Sequence, residues 1–188
     1  MRFLGVTAVL AVGAGAWASD GRIAKRVVVV CLNPAAHAAT INPGREVAAQ
    51  LLTQAGVRLE WRNDERFCVA TGNGIVVAVS FATPEDRHPG AFAYAMPFER
   101  TRIVLFYDRV RKAADPAIMP CLLGHVLAHE IVHMLQGLSS HSSGGIMKPH
   151  WDQRDYAEMR RGQFNFTEDD ILKIHEGLDR PSQPAPVE

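Results

Sequence analysis

Charge of one sign is what this chain most plainly lacks. Lys and Arg total 20 and Asp and Glu total 20, so no net field exists to hold a phosphate backbone or an anionic lipid surface, and neither nucleic acid nor a membrane is expected as partner. Beyond residue 18 no apolar run approaches the roughly 20 residues that a membrane span requires. Internal repeats are absent. Cysteine is scarce, with Cys31, Cys68 and Cys121 alone. In an oxidising compartment one pair can bond and leave a thiol over, but spacing does not say which, and burial as small hydrophobes is an equal reading. What is abundant is apolar content, 47% of 188 residues, enough for one domain with a substantial core.

The first residues have the pattern of an export signal. Arg2 gives a short positive start, residues 3–15 are apolar, and Ala16-Trp17-Ala18 fits the small-x-small cleavage rule before Ser19. Cleavage there predicts a secreted or periplasmic protein with no membrane attachment, and no cysteine follows the site to carry a lipid. Residues 19–26 read as a short polar tether and 27–179 as the domain. A strand starting at 27 leaves little room for a pro-segment.

Val27-Val28-Val29-Val30-Cys31-Leu32 is a continuous β-branched run, the mark of a strand covered on both faces. A helix is expected over 43–54, capped by Asn42 with Pro43 in its first turn and stopped at Gly56. Strands follow at 57–62, where apolar and polar residues alternate, and at 75–81. Turns are expected at 63–66 and 71–74 and a loop at 84–90. A short edge strand (91–96) and a last strand (103–107) complete the sheet. Asp115-Pro116 announces a long helix to 136, with Pro120 placing its regular part slightly later and Gly137 as left-handed cap. Thr167 and Asp170 form a capping pair for a final helix over 168–178. The tail 180–188, rich in proline, reads as disordered.

The chemistry concentrates in the long helix. Residues four apart share a helix face, so His129 and His133 can offer two imidazoles to one metal ion. Glu130 follows the first histidine, where its carboxylate can serve as general base to a polarised water. A catalytic zinc keeps three protein ligands and one open position. His141, beyond the Gly137 turn, is the third candidate ligand. Asp152, Asp155 and Glu158 offer carboxylates as the alternative. His125 lies one turn before His129 and reads as a buried supporting histidine, and His150 as a surface or supporting one. Trp151 is expected to pack the loop around Met147 against the helix. His37, His88 and His175 carry no signal.

His129-Glu130-x-x-His133, then Gly137, His141-Ser142 and Gly145-Ile146-Met147, resemble the metzincin zinc metalloproteases. The Ser after the third His and the Met soon after it resemble the matrixin-like branch. The resemblance implies a metzincin-like α+β fold: a twisted mixed sheet of four to five strands, an active-site helix, a Met-turn and a C-terminal helix. It also implies one zinc ion held by His129, His133 and His141, Glu130 as base, Met147 as the Met-turn residue, and protein or peptide as substrate, with an edge strand near 91–96 pairing to it. The spacing departs from the metzincin pattern. Gly137 lies four residues after His133 rather than three, and His141 four after Gly137. One added helical residue turns the exit by about 100°, which the following loop must compensate. The reading from another class is a secreted zinc-binding domain without catalysis, and a retained Glu130 argues against it.

Overall fold

The β-branched run becomes the second strand of a five-stranded sheet in the computed structural model, which describes residues 26–33, 38–72 and 74–180. Strand β1 (Arg26–Leu32) lies between β2 (Val57–Arg62) and β3 (Ile75–Ser80), parallel to both. Strand β5 (Arg102–Phe106) continues the parallel set, and β4 (Ala93–Ala95) closes the edge antiparallel to β5, giving the order β2-β1-β3-β5-β4. Side chains alternate across the sheet as period two demands. Val28, Val30, Leu32, Ile75, Val77 and Val79 enter the main core, whereas Cys31 and Val76 turn to the other face. The expected signal segment and the residues from 181 onward lie outside the described part, as does His37. Among the described residues no helix is long and apolar enough to cross a membrane.

The main core is roofed by α1 (Ala38–Gln54) and α4 (Met119–Gln136), which contact each other extensively. Their crossing is set by two glycines. A Cβ on Gly44 would lie 2.4 Å from Leu123 Cγ, and one on Gly124 would lie 2.4 Å from Val47 Cβ. The helices therefore approach as closely as they do because neither carries a side chain there. Gly162 ends α5 (Gln153–Arg161), and α6 (Glu168–Asp179) packs back onto α4.

The elements depart from the expected bounds at several points. Helix α1 begins before Pro43, and Asn42 is inside it, accepting from Arg45 Nη1 at 3.0 Å instead of capping. Ile41 is fully buried and draws the extra turn into the core. The turn expected at 63–66 opens helix α2 (Glu65–Thr71), capped by Asp64. The last strand stops at Phe106, where α3 (Tyr107–Ala113) begins. The edge strand shrinks to three residues. Asp115 caps a preliminary turn, accepting from Ala117 N–H and Ile118 N–H at 3.0 and 3.2 Å, and the regular helix starts four residues on with Pro120 in its first turn. Cys31 and Cys68 form a disulfide with Cα atoms 6.1 Å apart, and Cys121 is free.

Candidate metal centre and cleft

Helix α4 is buried from Leu122 to Gln136, so its polar residues are enclosed with its leucines. His129, Glu130 and His133 are each less than a tenth exposed. Both histidines are oriented by backbone. His129 Nδ1–H donates to the Ile146 carbonyl at 2.8 Å, and His133 Nδ1–H donates to the Leu138 carbonyl at 2.8 Å. Each ring then presents Nε2 inward, and these two atoms stand 3.0 Å apart. His141 arrives from the loop, with ring centroids 5.3 Å from His129 and 4.9 Å from His133.

The ligand atoms of the three histidines lie within 4.8 Å of one another. Four-coordinate zinc, with bonds of about 2.1 Å to nitrogen, spaces its ligands about 3.4 Å apart. The donor set fits such an ion. With both Nδ1 protons committed to carbonyls, two Nε2 lone pairs face one another across 3.0 Å, an arrangement that a cation between them resolves. Protonation does not resolve it. Burial first, then the neighbouring His133, pushes the His129 pKa down to about 3, and burial also lowers His133 and His141.

The loop meets the altered spacing with a left-handed cap. Gly137 has φ 62° and its N–H closes on His133 O at 2.9 Å. A Cβ there would meet the Arg100 guanidinium at 2.6 Å. The chain reverses, so that Leu138 O can receive His133 while His141 comes back over the helix. Ser142 N–H then donates to Met147 O at 2.8 Å, closing a tight turn in which Met147 is 1% exposed. The Ser142 hydroxyl bonds to Asp170, whose other oxygen accepts from Thr167 N–H and Oγ1–H. The C-terminal helix cap thus anchors the loop that carries His141.

The carboxylate alternatives are occupied elsewhere. Asp152 caps α5, accepting from Arg154 N–H at 2.7 Å and Asp155 N–H at 3.1 Å. Asp155 accepts from Asp152 N–H and from Lys148 Nζ, at 2.8 and 2.5 Å. Among the described residues the group able to share one ion comprises the three histidines, without Glu158. His125 is buried one turn below, its ring nitrogens 2.7 and 3.1 Å from the Cys121 and Phe164 carbonyls. Trp151 packs as expected: Nε1–H donates to Ile146 O at 3.1 Å and the ring meets His129 edge-on. His150 stands exposed at the cleft wall, and His88 stacks on Tyr94. What the sequence did not reveal are the Ile146 and Leu138 carbonyls, since a backbone group leaves no mark on residue type.

The centre opens into a cleft of about 610 Å³. Residues Pro89 to Ala95 form one side, and Lys148 to Trp151 with Tyr156 form the other. Glu130 lies on its floor. Burial pushes its carboxyl up to about 8, opposed by the Ala95 backbone N–H that meets it from the edge strand.

The fold is one shared with zinc-dependent peptidases. A zinc-dependent peptidase from Methanocorpusculum labreanum superposes with a TM-score of 0.56 at 14% identity, covering 78% of this chain and 99% of its own. An archaemetzincin from Methanopyrus kandleri superposes with a TM-score of 0.55 at 14% identity, covering 87% of this chain and 99% of its own. No protein-family model and no curated protein sequence matches the chain.

Proposed function

We propose that this chain is an exported zinc-dependent endopeptidase of the metzincin type. The observation that carries the reading is the pair of buried, carbonyl-oriented Nε2 atoms 3.0 Å apart, with His141 completing the set beside a cleft floored by Glu130. His129, His133 and His141 would hold the ion. Zinc bound there supplies Lewis acidity, polarising a carbonyl and bringing a water pKa toward about 7. The positive charge of that ion would draw the Glu130 carboxyl back down from about 8, so that Glu130, held by Ala95 N–H, would take the proton from the attacking water and deliver it to the leaving amine. Its burial keeps competing solvent away from that transfer. Met147 floors the turn behind the histidines.

An internal site of cleavage is favoured by the lining. An exopeptidase holds a chain terminus with a free opposite charge, and of the Lys, Arg, Asp and Glu side chains lining the cleft Lys148 is paired with Asp155 while Glu130 is committed to the chemistry. Export is supported by the signal-like first 18 residues and by the Cys31–Cys68 disulfide, a bond that persists in oxidising compartments. Replacing Glu130 by Gln is the test. General acid–base catalysis contributes about 10²–10⁴-fold, so cleavage of an unfolded protein substrate by Glu130→Gln should fall by that factor while zinc is retained. A wild-type protein that binds zinc and cleaves nothing, and a variant indistinguishable from it, would leave a zinc-binding domain without catalysis.

A further inference from the structure

We propose that Arg109 is a positioning residue of the peptide cleft, holding the segment 83–91 as a fixed rim against which substrate docks; the inference rests on the peptidase reading. Residues 84–90 are all exposed and belong to no helix or strand. Within the segment two backbone bonds form, Arg87 N–H to Pro84 O and Ala91 N–H to His88 O. So little internal bonding leaves a segment at the low-stability end of a fold. Its anchorage comes instead from two adjacent residues of α3. Asp108 accepts from Thr83 N–H at 3.1 Å and from Thr83 Oγ1–H at 2.8 Å. Arg109 reaches the rest: Nη1 donates to His88 O at 2.6 Å and Ala91 O at 3.0 Å, and Nη2 to Pro84 O at 2.9 Å and Arg87 O at 2.6 Å.

Four carbonyls gathered by one guanidinium need a rigid planar fork, which a lysine ammonium does not offer. The guanidinium also lies 4.7 Å over the Phe106 ring, so its plane is fixed as well as its edge. The clamp reaches the cleft by two routes. His88 is held at φ 45°, a conformation uncommon outside glycine, and in it the ring stacks on Tyr94 at 4.2 Å. Tyr94 is the centre of β4, whose next residue, Ala95, meets Glu130. Directly after His88, the residues Pro89, Gly90, Ala91 and Phe92 line the cleft. A rim already ordered before binding spares the substrate the entropy of ordering it.

The test compares wild type with Arg109→Lys by hydrogen exchange and by binding of two hydroxamates to the zinc-loaded protein. Acetohydroxamate reaches only the metal, whereas a tripeptide hydroxamate also lies along the rim. In Arg109→Lys, amides at 84–92 should exchange about tenfold faster and the tripeptide hydroxamate should bind about tenfold more weakly, with zinc and acetohydroxamate affinities within about twofold of wild type. His88→Gly, which removes both the strain and the stacked ring and leaves the guanidinium in place, should weaken the tripeptide probe in the same sense. Faster exchange with unchanged tripeptide affinity would make the clamp purely structural and overturn the proposal, as would unchanged exchange. Failure of acetohydroxamate to bind wild type would count against the zinc site itself, an outcome distinguishable because that probe touches no rim residue.

Discussion

Two backbone carbonyls decide which nitrogen each histidine offers. Ile146 O and Leu138 O fix the Nδ1 protons of His129 and His133, and the positions of those carbonyls depend on a turn and a helix cap further along the chain. That His129, His133 and His141 could lie together was readable in the sequence, while their tautomers were not. Carboxylates show the same division. Asp155 and Asp152 have the right chemistry for a metal, but a helix that the sequence pattern did not announce takes both for its cap. Asp108 anchors Thr83 from α3. Burial alone would raise its pKa, but the Thr83 hydroxyl and amide, with the N–H groups of Asp108 and Arg109, hold it below the usual carboxylate range. A depressed folded value means that the stabilisation is fully present above the unfolded value of about 3.9 and is lost as pH falls through the folded one. Urea denaturation should therefore find Asp108→Asn less stable by about 1–2 kcal/mol at pH 7, with the gap from wild type narrowing below about pH 4. An equal gap at pH 7 and pH 2.5 would contradict that assignment.

Elements with a clear period were legible, and those held by something other than period were not. Strands β1, β2 and β3 follow from β-branched runs and alternation, and α4 and α6 from apolar faces with capping residues. Helix α2 was hidden because only Cys68 among its residues is buried, so it has no apolar face to read. Helix α5 was hidden because its charged sequence buries just Asp155 and Met159. Pro43 gave a misleading start to α1, since Ile41 buried in the core outweighs the bond that a proline removes. The disulfide is what fastens α2 to β1. Closing a loop of 37 residues contributes about 3–4 kcal/mol by the chain-entropy relation. Replacing Cys31 and Cys68 together by Ser should lower the unfolding free energy by about that amount and speed exchange in α2 first. Loss spread evenly over the sheet, with α2 as protected as before, would show that the helix is held otherwise.

At the scale of the whole molecule, sheet, α4 and α6 converge on one place. The Gly44–Gly124 crossing seats α4 against α1, the edge strand meets Glu130, and the α6 cap holds the loop of His141 through Asp170 and Ser142. The α+β architecture implied by the motif resemblance agrees with the observed mixed sheet, and the fold neighbours at 14% identity share it. Metal should consequently stabilise the entire domain. Zinc at about a thousand times its Kd adds about 4 kcal/mol to a protein that binds it only when folded, which raises Tm by about 8–16 °C for a domain of this size. The most direct measurement is a zinc titration of wild type and His141→Ala, read by both metal content and melting temperature. Wild type should take up one zinc per chain and melt lower on chelation, and His141→Ala should bind zinc at least about a hundredfold more weakly. Equal affinity in the two proteins would remove His141 from the site, and a wild-type chain that takes up no zinc would contradict the metal centre altogether.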